Sequence, residues 1–122
     1  MDYEIQALDH VQLAMPKGGE ADAERFYCGL LGFERVPKPE PLASRGGCWF
    51  RRGAVQVHLG VENDFRPAQK AHPAFIVSGF DALCARLTEA GHLVRRDQEL
   101  PGVRRCHVDD VFGNRIELIA GS

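Results

Sequence analysis

The segment Asp109-Asp110-Val111-Phe112-Gly113-Asn114-Arg115-Ile116-Glu117-Leu118-Ile119 sets a Gly-Asn turn directly before a strand of alternating character, with Glu117 in its middle. Side chains of a strand alternate between its faces, so Ile116 and Leu118 share one face while Arg115 and Glu117 share the other. A carboxylate on the inner side of a sheet calls for a metal or a cation, because an ionised group taken out of water is costly unless paired. An earlier stretch, Ala54-Val55-Gln56-Val57-His58-Leu59, has the same design. There Val55 and Val57 take one face, Gln56 and His58 take the other, and His58 stands where Glu117 stands.

Each of these strands closes a longer pattern. Ile5 to Ala14 predicts a strand in which Val11 and Leu13 alternate with His10, Gln12 and Ala14, ended by Pro16 and Gly18-Gly19. From Glu20 to Leu31, Ala23, Phe26, Tyr27, Leu30 and Leu31 form one apolar stripe at helical spacing, and Gly32 suits the left-handed position after a helix. Phe33 to Val36 is a short strand, Pro37 to Pro41 a proline-rich loop, and Gly47 to Arg52 with Ala54 to Val61 a hairpin turning at Arg52-Gly53. Glu62 to Ala71 is polar and reads as a linker. The order then repeats: a strand from His72 to Val77, a helix capped by Ser78 with Asp81 three residues on, and Phe80, Leu83, Cys84 and Leu87 along one stripe before Gly91. Strands over Leu93 to Arg96, Val103 to Asp109 and Arg115 to Ala120 complete the second half.

The repeat survives a count of offsets. His10 and His72 differ by 62 positions, Gly32 and Gly91 by 59, Gly53 and Gly113 by 60, and Leu59 and Leu118 by 59. A near-constant offset indicates tandem duplication. Residues 1–61 form a first strand-helix-strand-strand-strand module, 62–71 a linker and 72–122 a second module. Each half is too small to bury a sheet face alone, so the two share one α+β domain or pair across a dimer.

At 122 residues, 44% apolar, 26% charged and net charge −2, the chain has the balance of an ordinary soluble domain with no bias toward nucleic acid. The acidic start Met1-Asp2-Tyr3-Glu4 is followed by no long apolar run, which predicts neither secretory signal nor membrane span, and hence a cytoplasmic protein. Cys28, Cys48, Cys84 and Cys106 lie among apolar positions with no C-x-x-C pair, and read as buried free thiols. The pairs Arg51-Arg52, Arg95-Arg96 and Arg104-Arg105 read as solvated rims.

If each helix covers the apolar side of its own sheet, the opposite sides carry His10, Gln12, Gln56 and His58 in the first half and His72 and Glu117 in the second. Two halves facing each other then bring His10, His58, His72 and Glu117 toward one point. Three imidazoles and a carboxylate make a site for one divalent ion, with Zn, Ni, Co, Fe and Mn all compatible. Gln12, Gln56, Arg105 and His107 are candidates to line the cavity and contact substrate; His107 faces inward if Cys106 and Val108 face the helix. His92, just after Gly91, is expected in solvent.

Leu8-Asp9-His10-Val11-Gln12-Leu13, Phe26-Tyr27-Cys28-Gly29-Leu30-Leu31-Gly32-Phe33, Val55-Gln56-Val57-His58-Leu59, His72-Pro73-Ala74-Phe75-Ile76-Val77 and Asp110-Val111-Phe112-Gly113-Asn114-Arg115-Ile116-Glu117-Leu118 resemble the vicinal oxygen chelate superfamily. That group includes glyoxalase I, fosfomycin-modifying enzymes, methylmalonyl-CoA epimerase, extradiol dioxygenases and bleomycin-resistance proteins. The resemblance implies paired βαβββ modules forming an incomplete barrel around a cleft, helices outside, commonly in a homodimer. It carries the metal positions onto His10, His58, His72 and Glu117. It also implies Lewis-acid chemistry on a small substrate with vicinal oxygens, of lyase or isomerase type, with Glu117 as general base. The chain departs from the pattern at Val111, where many members have proline, and at His58, where glyoxalase I usually has Glu or Gln. The other functions implied are metal-free sequestration of a drug or metabolite, as in bleomycin resistance, and thiol transfer of the fosfomycin type.

Overall fold

A computed structural model describes residues 2–121. Met1 and Ser122, the outer ends of the two expected modules, lie outside the described residues. The first module comprises β1 (Val11–Met15), α1 (Glu20–Tyr27), β2 (Glu34–Val36), β3 (Cys48–Arg52) and β4 (Val55–Val61), with a single 3-10 turn at Leu42–Arg45. The second comprises β5 (Ala74–Val77), α2 (Phe80–Glu89), β6 (Arg95–Asp97), β7 (Arg105–Asp109) and β8 (Arg115–Ala120). Their sheets have the same order, β1-β4-β3-β2 and β5-β8-β7-β6. In each, the first strand lies parallel to the last, and the last is antiparallel to its predecessor. The expected pair of βαβββ modules is therefore present, and the sheets do not close into a barrel.

Helix and sheet meet through the residues that the periodicity selected. Ala23, Phe26 and Tyr27 on α1 and Phe80, Cys84 and Leu87 on α2 are buried, facing Phe50, Val57 and Leu59 in one sheet and Cys106, Val108, Ile116 and Leu118 in the other. Glu20 and Asp22 stand in the first turn of α1, where negative charge suits the helix dipole. Glu20 Oε2 also accepts the Gly47 N–H at 2.8 Å, and that bond leads the causes holding its carboxyl below the usual value.

Several boundaries differ from expectation. The first strand begins at Val11, not Ile5, because its register on β4 starts at the pair Val11 and Val57 and residues 2–10 have no neighbouring strand. His10 and His72 both stand just outside their strands. Helix α1 stops at Tyr27, four positions short of Leu31, and continues as turns that reach Gly32 at φ +83°. Ser78 does not cap α2: Gly79, in the left-handed conformation, holds that place and no side chain bonds the helix start. The first three strands of the second half each begin two positions later than expected, at Ala74, Arg95 and Arg105. His92 is half-buried, its ring edge-on to Phe26 at 5.0 Å. Cys48, Cys84 and Cys106 are buried free thiols, while Cys28 is half-buried. Cys84 and Cys106 lie with their sulfurs 3.8 Å apart between α2 and β7.

The turn before β8 joins the two halves. Asp110, 4% exposed, accepts the Tyr27 hydroxyl from α1 at 2.7 Å, the Phe112 and Asn114 backbone N–H groups at 2.8 and 2.9 Å, and the Asn114 amide at 3.0 Å. Asn114 in turn donates to the Ala14 carbonyl of β1 at 2.9 Å and accepts the Ala68 N–H at 3.0 Å. Gly113 completes the turn at φ +95°, a conformation that favours glycine. Burial, with Asp110 beside it, pushes the Tyr27 hydroxyl well above its ordinary pKa, so it remains a proton donor.

Candidate metal centre

The inner face of the second sheet gathers ligand-type side chains. His107 and Glu117 are directly paired across β7 and β8, and His72, just before β5, reaches the same carboxylate. His72 Nε2 lies 3.0 Å and His107 Nε2 3.6 Å from Glu117 Oε1. Among the described residues, His72, His107 and Glu117 are the one group of three or more such side chains whose donor atoms lie within 4.8 Å of one another. The other carboxylate oxygen, Glu117 Oε2, accepts Arg105 Nη1 at 3.1 Å, and Arg105 Nη2 reaches Asp97 at 2.9 Å. A charged row thus runs across β6, β7 and β8. Burial would raise the Glu117 pKa, but His72 and Arg105 beside it outweigh burial and hold the carboxyl below its usual value.

The tautomer of His72 follows from its other nitrogen. Nδ1 lies 3.0 Å from the Lys70 carbonyl and 3.2 Å from that of Gln69, and carbonyl oxygens only accept, so Nδ1 carries a hydrogen. In the neutral ring, Nε2 then points a lone pair at a carboxylate. That contact needs a cation between the two atoms or a second proton on the ring. Ligands about 2.1 Å from an ion and at right angles lie about 3 Å apart, which this pair matches, and backbone carbonyls fixing Nδ1 are the usual support of a metal-bound histidine.

The first sheet looks different. His10 and His58 stack face to face at 4.0 Å, and Trp49 covers the other face of His58 at 4.1 Å. His58 is 5% exposed and its Nε2 is buried without a partner, whereas the His10 ring is more open and bonds Asp9 through Nδ1 at 2.8 Å. The four residues expected at one point therefore stand as two pairs, His10 with His58 and His72 with Glu117. Each pair belongs to its own module, one member on the last strand and the other just before the first. Gln12 and Gln56, with His10 and His72, line a cleft of about 1250 Å³ along β1 and β5, whereas Arg105 and His107, expected on its wall, do not line it because both are turned to Glu117 on the second sheet.

One solved structure decides the family: a glyoxalase family protein from Bacillus anthracis is 47% identical to this chain, each covers 100% of the other, and the TM-score is 0.94. The chain belongs to the glyoxalase family. Its membership places it in the vicinal oxygen chelate superfamily. The fold recurs at lower identity in the fosfomycin resistance protein FosX from Listeria monocytogenes (16% identical, 98% of this chain and 96% of that one covered, TM-score 0.77) and FosX from Mesorhizobium loti (18%, 98% and 95%, 0.72). No protein-family model and no curated protein matches the sequence.

Within this glyoxalase family chain, two features were hidden from strand parity. His107 was expected at the cavity wall, yet it joins His72 and Glu117; the signal was its register opposite Glu117, which needs the hairpin geometry. Trp49 carries no ligand chemistry that a sequence pattern would mark. It occupies in β3 the position that His107 occupies in β7, each paired across the hairpin with the polar centre of the following strand.

Proposed function

We propose that this chain is a metal-dependent enzyme of glyoxalase type, acting on a small substrate with adjacent oxygens, with the ion held by His72 and Glu117. The observation that carries the reading is the contact of His72 Nε2 with Glu117 Oε1 while Nδ1 is committed to backbone carbonyls. His107 stands beside them as a further donor. A bound divalent ion polarises substrate oxygens as a Lewis acid. His72 and Arg105 hold the Glu117 carboxyl below its usual value and Arg105 fixes its Oε2, so that Oε1 is the oxygen available as ligand or as general base toward a substrate C–H. Gln12 and Gln56 line the cleft that His72 borders, and would contact a substrate lying there.

A homodimer completes this reading. β1 and β5 are each paired on one side only, and Ile5 and Leu8 before β1 and Ile76 on β5 are largely exposed. Unpaired apolar edges of that kind suit a second copy of the chain, which would bring its own His10 toward the cleft. No described helix is long and apolar enough to cross a membrane.

The fold shared with the two FosX proteins favours a second reading at the same site, action on fosfomycin, the drug in their names, although Arg105 is already committed to Glu117 and Asp97 and is not free to hold an anion. Elemental mass spectrometry on protein purified without chelator or histidine tag tests both. Stoichiometric metal in the wild type, lost in His72→Ala, is expected. Wild-type protein that arrives metal-free and refuses added Ni, Zn, Co, Mn and Fe overturns both in favour of sequestration. Turnover of thiol adducts of α-oxoaldehydes against turnover of fosfomycin, with and without thiol, then separates the two enzymes.

A further inference from the structure

One residue of the first module has a matched position of opposite chemistry in the second. His58 in β4 corresponds to Glu117 in β8, yet the carboxylate sits among ion-pairing partners and the imidazole sits between two aromatic faces. Trp49 is its direct partner across β3 and β4, with rings 6° from parallel, and His10 covers the opposite face at 17°. With both faces covered and the residue buried, Nε2 has no route to solvent and no hydrogen-bond partner among the described residues. His10 is the open end of this column: Asp9 fixes its Nδ1, and the ring borders the cleft.

The geometry points to His58 as a positioning residue: an aromatic platform, backed by Trp49, that holds the His10 ring in one orientation with Nε2 available to the cleft, and is not itself a metal ligand. Stacked rings confine His10 to a plane, and the Asp9 contact sets its rotation within that plane. A residue outside any strand, as His10 is, has little else to fix it. Burial lowers the His58 pKa, in keeping with a neutral ring against its neighbours.

Where His10 serves as a metal donor, the assignment rests on the reading above, and the test separates the two. Two variants discriminate: His58→Phe keeps a flat ring and deletes both nitrogens, and His58→Leu keeps apolar volume and deletes the stack. The first readout needs no metal. In NMR spectra of the metal-free protein, His10 ring protons are expected upfield in the wild type and in His58→Phe, and near unstacked positions in His58→Leu. Unshifted His10 protons in the wild type overturn the platform outright. The second readout is zinc affinity by competition with a chromogenic chelator. His58→Phe is expected within a few-fold of the wild type and His58→Leu about 10-fold weaker, the usual size of a supporting-residue effect, while His72→Ala loses zinc. Loss of zinc in His58→Phe as complete as in His72→Ala makes His58 a ligand and overturns the proposal. A wild type that stacks His10 but binds no zinc overturns the metal reading and leaves the platform standing.

Discussion

Three positions of the first module and three of the second coincide in the repeated fold: His10, His58 and Trp49 against His72, Glu117 and His107. In the first, three rings lie one on another. In the second, two imidazoles converge on one carboxylate oxygen and a guanidinium holds the other. The strands, register and helix cover are alike, so the backbone is not the source of the difference. Two of the three positions differ, imidazole against carboxylate at the centre and indole against imidazole on the neighbouring strand, and the centre changes what the flanking residues can do. Around a neutral ring, neighbours stack; around a carboxylate they turn their donors inward. The two modules offer matching frames, and only the second gathers donor atoms that could hold a metal ion among the described residues.

The largest effect is expected where the frames are joined. Asp110→Ala leaves the Tyr27 hydroxyl, two backbone N–H groups and the Asn114 amide without their acceptor in the interior, and is expected to cost about 3–5 kcal/mol of stability by urea unfolding. Tyr27→Phe, which removes one donor and leaves Asp110 otherwise bonded, is expected to cost about 1–2 kcal/mol. If both halves depend on that join, Asp110→Ala disturbs the His10 stack and the His72 group equally.

Exchanging the centres sharpens the contrast further. Glu117→Gln keeps shape and removes charge, and is expected to reduce zinc affinity about 100-fold or more, measured by chelator competition, while leaving the His10 and Trp49 signals in place. A smaller loss, about 10-fold, is expected for Arg105→Met, which frees Glu117 Oε2 without removing a donor.

Acid provides a graded version of the same test. The Glu117 pKa is lower in the folded chain than in the unfolded one, so its contribution to stability is fully present above the ordinary carboxylate value of about 4.3 and disappears as pH falls through the depressed folded value. Unfolding of metal-free protein followed below pH 5 is expected to show that loss, and Glu117→Gln is expected to flatten it. The smallest effect belongs to Ser78→Ala. It removes an expected cap that does not form, and is expected to change stability by less than about 0.5 kcal/mol.

Much of this was legible in the chain itself. Strict alternation in Arg115 to Ala120 gave that strand to the residue, and the helix stripes identified the buried faces of α1 and α2, because period is set by local geometry. Strand starts were less legible: Ile5 to His10 carry strand-like composition, but a strand exists only where β4 supplies a partner. Parity put His58 and Glu117 at matched strand positions, while His10 and His72 fall just outside their strands. It could not tell which would meet, since that depends on how two sheets are disposed in space. The Asp110 join was invisible for a related reason: its partners Tyr27, Ala14 and Ala68 are spread over the chain, and no local pattern links them.

The cysteines offer a different use for the duplicated plan. Burial, with Cys84 beside it, pushes the Cys106 thiol up to about 12, and Cys48 in the matched strand of the first half is also raised, chiefly by burial. Neither thiolate exists in appreciable amount while the fold is closed, so a thiol-specific reagent can modify them only when the surrounding segment opens. Cys48 and Cys106 are thus built-in clocks, one per half. Their relative labelling rates, read by mass spectrometry, report whether the two halves breathe together or one at a time.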